Sequence, residues 1–409
     1  MTAKNGAVLT YICLALLSLA LFAGCASQIE SSPVKIGSDG NTEAGNQLLA
    51  NSVSLSGEWV IEGYSPQRTR ATVDTSYPPL TMNQEYMVGG ETRYGSPVGI
   101  ARNLVYMEGE RKLHALTMDQ GIETWTYELP GSFVSPTIAG GTVFVRAESG
   151  DEGYVVALTA ETGLREWQFK FPAVGSSEGN LGGHVTSPVV ADGLVLVGAG
   201  RSLLALDAST GRQVWAFNTN EPISSSATVA DKIVYFVDFE TLYAVDLQTG
   251  AEQWQFPQEA LSVIFAPVVT GDTIVTADGD TVHLLDRHTG QVIWRKQIEN
   301  TRLVPAGAAG DQIYVKSTNT LYALDPVTGD EVWSFHTTDF ISLPAITSEV
   351  IYIVTRAGGT GQLRAVSLTS GEEVWQTENA RFSNAAPIVA RGQVFIRTVD
   401  GSLLVFGGS

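Results

Sequence analysis

Short apolar stretches that end in a polar turn and a tryptophan recur along the chain. Each begins with four or five apolar residues, continues with Asp, Ser or Thr, and places Gly four residues before Trp, as in LLALDASTGRQVW. An apolar run of this length predicts a strand, and the polar residue with its glycine predicts a tight turn. Each segment therefore predicts a β-hairpin whose second strand carries the tryptophan. The seven segments are 113–125, 155–167, 203–215, 242–254, 282–294, 321–333 and 363–375.

A second hairpin precedes each of these segments, as in SPVVADGLVLVGA at 187–199. Two hairpins make a unit of four strands, and the units recur at roughly 40 residues, which is typical of β-propeller blades. A single blade cannot bury both of its faces, whereas a closed ring buries each blade against its neighbours. The upstream hairpins begin near Pro97, Pro136, Pro188, Ala227, Pro267, Ala306, Pro344 and Pro387.

The last unit, which begins near Pro387, lacks a strand with tryptophan and so predicts how the ring closes. The segment 79–88, PLTMNQEYMV, precedes the first blade by the interval that separates the tryptophans from the blades that follow them. We therefore predict an all-β, eight-bladed β-propeller of four-stranded antiparallel blades, closed by pairing of strand 79–88 with the C-terminal blade 387–406. One large aromatic residue is expected to pack at each blade junction. These residues are Tyr86, Trp125, Trp167, Trp215, Trp254, Trp294, Trp333 and Trp375.

The N-terminal residues predict export. Lys4 is followed by a mostly apolar stretch and small residues, which is typical of a signal peptide over 1–24. The string Phe-Ala-Gly-Cys ending at Cys25 resembles a bacterial lipobox, and this resemblance implies acylation of Cys25 and a membrane anchor. An uncleaved N-terminal anchor is the alternative. Residues 25–54 are predicted to be a flexible tether and 55–78 an extension with Trp59 on the outside or on one face of the ring, while 79–409 form the propeller.

Composition excludes some function classes. The formal net charge is −19, which repels phosphate backbones, so we expect no nucleic-acid partner. Of the two cysteines, Cys13 lies in the predicted leader, so the mature chain has no pair for a disulfide. The five histidines show no spacing typical of a metal site, and neither a nucleophile motif nor a phosphate-binding glycine loop occurs.

The string A-x-D-x-x-T-G-x-x-x-W resembles the repeat of the pyrroloquinoline-quinone (PQQ) family, with its strongest matches at 205–215 and 323–333. The resemblance covers 79–409 and implies a propeller, but the motif describes blade packing and says little about activity. Within this family, quinoprotein dehydrogenases hold PQQ and Ca²⁺ on the ring axis. An outer-membrane protein assembly lipoprotein is a scaffold without a cofactor, and other exported members bind carbohydrate.

The short junctions between blades and the missing cysteine pair disfavour a quinoprotein. We therefore expect an exported, lipid-anchored, monomeric propeller in the cell membrane or outer membrane. It would act as a non-catalytic protein-binding scaffold for an envelope protein partner, without a cofactor. The first alternative is a PQQ-dependent quinoprotein-like oxidoreductase with PQQ and Ca²⁺, and the second is a carbohydrate-binding envelope protein.

One long junction, 169–187, departs from the repeat, and such loops often hold contact residues. Its candidates for a ligand or partner contact are Glu178, Asn180 and His184, although a mobile glycine-rich loop is the alternative. The insertion 355–362 is predicted on the same face of the ring. Four aromatic residues of this face either form a docking surface or pack onto the blades. They are Phe133, Phe265, Phe340 and Phe382.

Overall fold

The computed structural model describes residues 60–61, 63–88, 98–133, 135–172, 186–258, 265–299 and 301–408. The predicted signal peptide, Cys25, the tether and Trp59 lie outside the described residues. Within them every regular element is a β-strand, and the strands form eight antiparallel sheets. None of the described residues forms a helix long and apolar enough to cross a membrane. The predicted all-β, eight-bladed propeller is confirmed.

The first strand, β1, belongs to the last blade, and the other strands follow blade by blade. β1 spans Leu80–Tyr86. Blade 1 contains β2 (Gly99–Ala101), β3 (Leu104–Gly109), β4 (Lys112–Thr117) and β5 (Glu123–Glu128). Blade 2 contains β6 (Ser132–Phe133), β7 (Thr137–Ala139), β8 (Thr142–Ser149), β9 (Glu152–Thr159) and β10 (Arg165–Pro172). Blade 3 contains β11 (Val189–Ala191), β12 (Leu194–Ala199), β13 (Ser202–Asp207) and β14 (Gln213–Asn218). Blade 4 contains β15 (Thr228–Ala230), β16 (Ile233–Val237), β17 (Thr241–Asp246) and β18 (Glu252–Pro257).

The second half of the ring repeats this pattern. Blade 5 contains β19 (Val268–Thr270), β20 (Thr273–Asp278), β21 (Thr281–Asp286) and β22 (Val292–Gln297). Blade 6 contains β23 (Val304–Ala309), β24 (Gln312–Lys316), β25 (Thr320–Leu324) and β26 (Glu331–His336). Blade 7 contains β27 (Phe340–Ile341), β28 (Ala345–Ile346), β29 (Val350–Ala357), β30 (Thr360–Ser367) and β31 (Glu373–Gln376). Blade 8 contains β32 (Ile388–Ala390), β33 (Gln393–Arg397) and β34 (Leu403–Gly408), with β1 as its outer strand.

The closure of the ring is confirmed at the level of register. β1 pairs antiparallel with β34, with Leu80 opposite Gly408 and Tyr86 opposite Leu403. Sheet order in blade 8 is β1, β34, β33, β32. The first described strand thus completes the last blade and covers an edge that would otherwise be open.

The turn between the third and fourth strands recurs along the chain and contacts the preceding blade. In blade 3, the Asp207 carboxylate accepts hydrogen bonds from the Ser209 hydroxyl group and from the hydroxyl group and backbone N–H of Thr210, which close the turn and lower the pKa of Asp207. Gly211 follows at φ +69°, and a Cβ there would lie 2.5 Å from the ring of Trp167 in the preceding blade. Trp167 also donates from Nε1 to the Ala208 carbonyl at 2.9 Å. Each turn therefore holds the aromatic residue of the blade before it.

The antiparallel order gives the ring two distinct faces. In each blade the first strand is innermost and runs from the junction with the previous blade to a turn, and the second strand returns. We call the face with the first turns and the Thr-Gly-type turns the turn face. The other face, which holds the blade-to-blade junctions and the turns between second and third strands, is the junction face.

Residues 60–61 and 63–78, the described part of the extension before the ring, lie against the innermost strands. The N–H of Ile138 in blade 2 donates to the Val60 carbonyl, and the N–H of Ile346 in blade 7 donates to the Arg70 carbonyl. Ala71 forms a parallel bridge with Ile346. The extension therefore crosses the centre of the ring before it becomes β1.

Candidate functional site

Two long hairpins make the junction face uneven. β8 and β9 of blade 2, like β29 and β30 of blade 7, have eight residues each, whereas the second and third strands of the other blades have five or six. In both long blades a short additional strand pairs with the extended part of the second strand: β6 pairs with β8, and β27 pairs with β29. The insertion at 355–362 predicted from the sequence forms the tip of the blade 7 hairpin on this face.

The hairpin of blade 2 carries a set of charge pairs. The Arg146 guanidinium is buried over the ring of Phe171 at 5.5 Å and forms an ion pair with Glu148. Burial lowers the pKa of Arg146, and Glu148 opposes this shift. Near the tip, Lys170 and the Tyr154 hydroxyl both donate to Glu152, which lowers the pKa of Glu152. The hairpin thus presents fixed, hydrogen-bonded charges.

A similar network supports the hairpin of blade 7. The Arg364 guanidinium donates to Thr355 Oγ1 at 2.9 Å and to Glu373 Oε2 at 2.5 Å. Arg356 donates from Nη1 to Asn384 Oδ1 at 2.8 Å and so connects the hairpin to the junction between blades 7 and 8. At the tip, a Cβ added to Gly358 or Gly359 would meet no atom within 4 Å. The base of the hairpin is therefore held in place while its tip projects into open space.

The aromatic residues predicted on this face behave differently from one another. Phe382 is fully buried and packs edge to face against Phe406, so the docking alternative is wrong for this residue. Phe340 is 38% exposed, and its ring lies 5.0 Å from the ammonium group of Lys316. Phe265 is partly buried. The backbone of Phe133 lies in β6, and its side chain is outside the described part of the structure.

The three candidate contact residues of the long junction, Glu178, Asn180 and His184, also lie outside the described residues. They stay predictions. The junction itself connects β10 of blade 2 to β11 of blade 3, so its ends lie on the junction face beside the long hairpin of blade 2.

Sequence reasoning missed a buried polar cluster in blade 5. The His283 ring packs against Phe256, and its Nε2 lies 3.5 Å from Asp278 Oδ2. Beside it, Gln258 donates from Nε2 to Thr276 Oγ1 at 2.9 Å. The signal in the sequence was weak, because a polar residue within a short strand also fits a solvent-exposed position.

A calcium site requires several oxygen ligands gathered at one place. Among the described residues, no group of three or more His, Cys, Asp or Glu side chains is close enough to hold a metal ion. In blade 4, the Asp238 carboxylate accepts hydrogen bonds from the N–H groups of Glu240 and Thr241 within its own turn. The expectation that the chain has no cofactor stays a prediction.

Comparison with known proteins agrees with this architecture. The family profile described as outer membrane protein assembly factor BamB matches residues 88–180, 151–303 and 317–408. The chain belongs to the BamB family. The predicted resemblance to PQQ-like propellers is thus confirmed.

Among BamB relatives, the outer membrane protein assembly factor BamB of Moranella endobia (strain PCIT) is 26% identical over 248 residues. The match covers 58% of this chain and 62% of that protein. The structure of BamB from Moraxella catarrhalis superimposes with a TM-score of 0.62 at 16% identity, over 81% of this chain and 98% of that one. The quinohemoprotein alcohol dehydrogenase from Comamonas testosteroni superimposes with a TM-score of 0.69 at 14% identity. This match covers 90% of this chain and 83% of that one. At these identities the structural likenesses show the shared fold alone.

Proposed function

We propose that this chain is an exported, lipid-anchored propeller that acts as a non-catalytic protein-binding scaffold at the cell envelope. The observation that carries the proposal is the membership of the BamB family, whose name describes a factor for the assembly of outer membrane proteins. The partner is therefore an envelope protein, in keeping with outer membrane protein assembly.

The junction face is the proposed binding surface. A regular ring offers eight equivalent blade edges, and specific recognition of one partner requires features that break this equivalence. The long hairpins of blades 2 and 7 do so, and their charge pairs hold them in a fixed conformation. A surface whose side chains are already ordered binds with less loss of conformational entropy.

Site-specific photo-crosslinking in the native membrane tests this surface. A photoreactive residue placed at Asp151 or Gly359 sits at one of the two hairpin tips, and one placed at Val327 sits on the turn face as a matched exposed control. We expect both tips to capture the same envelope protein and the control position not to capture it. Equal labelling from all three positions, or no adduct from the tips, contradicts the proposal.

Two further measurements test the anchor and the absence of catalysis. Cys25→Ser should move the protein from the membrane fraction to the soluble fraction, because the acyl chains would have no thiol to attach to. Retention in the membrane would favour the uncleaved anchor instead. Titration of the protein with PQQ and Ca²⁺ should leave its unfolding temperature unchanged, whereas saturable stabilisation at one equivalent would favour the oxidoreductase.

A further inference from the structure

The extension before the ring follows the inner edges of successive blades. Backbone N–H groups of the innermost strands donate to its carbonyls one after another at 2.8–3.1 Å. These strands pair on one side only, so the N–H groups that point to the axis have no other strand to meet. The donor and acceptor pairs are Ile138 with Val60, Val229 with Pro66, Val269 with Gln67, Ala308 with Thr69, and Ile346 with Arg70.

The side chains of the extension reach the blades that these backbone bonds do not. Ile61 belongs to an apolar cluster that includes Val189 of blade 3. Tyr64 belongs to the cluster that includes Ile100 of blade 1 and Ile388 of blade 8. Together with the backbone bonds, these clusters place the extension against blades on opposite sides of the axis.

The backbone of the extension is bent to follow the ring. Gly63, Tyr64, Arg68 and Arg70 all have positive φ values, between 57° and 85°. For residues with a Cβ this conformation is costly, and it persists only where the surroundings determine it. Arg68 is held by a 2.8 Å hydrogen bond from its Nε to the Ala227 carbonyl of blade 4.

The positions of the hydrogen-bonded residues within the innermost strands also show which end of the channel the extension occupies. Val229, Val269, Ala308 and Ile346 lie at or near the ends of their strands, beside the turns to the second strands. At the far end of the segment, the Thr75 carbonyl lies 3.3 Å from the position of a Cβ at Gly392, which is in the first turn of blade 8. The segment therefore occupies the turn-face end of the channel and leaves it beneath blade 8.

We propose that residues 60–61 and 63–76 form an axial strap that closes the ring a second time, independently of the β1–β34 pairing. The inner edges of blades 4 to 7 form a binding site for this extended segment.

A cut between the strap and β1 tests this proposal in the full chain. A specific protease site is inserted between Tyr77, which is exposed, and Pro78, and the folded protein is cleaved and passed through a size-exclusion column. We expect the N-terminal fragment to co-elute with the ring and a labelled synthetic 60–77 peptide to exchange with it. A scrambled peptide is the control. Elution of the fragment apart from a ring that stays folded, or equal exchange of the scrambled peptide, overturns the proposal.

Arg68→Met provides the matched variant, because it keeps the length of the side chain and removes its hydrogen bond to blade 4. We expect the cleaved variant to release its fragment at least tenfold more readily. If the insertion prevents folding, amide hydrogen exchange of the unaltered chain gives the answer. The N–H groups of Val269 and Ala308 should be strongly protected, and Arg68→Met should reduce their protection at least tenfold. Exchange of these two amides at the rate of a free peptide in the unaltered chain also overturns the proposal.

Discussion

A buried cation in blade 6 gives a stability prediction with a defined sign and pH range. The Lys316 side chain is only 5% exposed, and among the described residues no carboxylate forms an ion pair with it. Burial, with a smaller contribution from the nearby Arg70, lowers the pKa of Lys316 to about 8 from an ordinary value of 10.5. Replacement by Met keeps the length and the contact with Phe340 and removes the charge. We expect Lys316→Met to stabilise the fold at pH 7.

The magnitude follows from the shift in pKa. Each unit of difference between the folded and unfolded pKa is worth about 1.4 kcal/mol, so the folded state loses up to about 3 kcal/mol by keeping Lys316 charged at pH 7. The folded pKa is the lower one, so the unfolded chain binds more protons between about pH 8 and pH 10.5. The contribution of Lys316 to stability therefore rises with pH through this window, and the advantage of the Met variant declines through it.

Urea unfolding at pH 7 and at pH 10, with wild type and variant compared at each pH, measures this effect. Because wild type and variant are compared at the same pH, the contributions of other titrating groups to the free energy of unfolding cancel. Lys170→Met is the matched control, because Lys170 is exposed and pairs with Glu152, and it should change stability by less than about 1 kcal/mol. A Lys316→Met variant that is less stable than wild type at pH 7, or whose advantage does not fall by pH 10, would refute the reasoning.

Two further substitutions probe the blade junctions. Gly211→Ala adds a Cβ that meets the Trp167 ring at a residue with positive φ, so it should cost about 2–4 kcal/mol in chemical unfolding. Gly193→Ala has a similar φ but open space, so it should cost only about 1 kcal/mol, and equal losses at both sites would show that the tryptophan contact does not contribute. Tyr86→Phe removes the hydrogen bond from the phenol to the Met118 carbonyl, with an expected loss of about 1–2 kcal/mol and retention of the fold. No change in thermal unfolding would indicate that the hydroxyl group is not needed at the closing junction.

The repeat made the ring predictable, because its information is local and recurs. Asp207, Thr210 and Gly211 sit within a few residues of one another, and the turn they form requires no knowledge of the rest of the chain. The closing strand was predictable for a related reason. Tyr86 is separated from the first blade by the interval that separates most of the tryptophans from the blade that follows them, so sequence spacing alone placed it in blade 8.

The strap was not predictable from the sequence. Its carbonyls bind N–H groups of blades that follow it by roughly 70 to 280 residues, and backbone groups leave no trace in residue type. Arg68 and Arg70 are both buried, whereas Arg is mostly an exposed residue type, so residue type gave no sign of their position. The burial of Phe340 and Phe382 was not predictable either. Phe340 is exposed and Phe382 is buried, although both occur in similar junctions.

The order of the blades links the proposed binding surface to the closure of the ring. Blades 7 and 2 are separated by blades 8 and 1, so a partner that touches both long hairpins must extend over the blade that β1 completes. A change that weakens the β1–β34 pairing would then displace the hairpin of blade 7 relative to that of blade 2, because Arg356 connects the former to the junction that leads into blade 8. Partner binding at the junction face should therefore favour the closed ring, and an open ring should bind the partner less tightly.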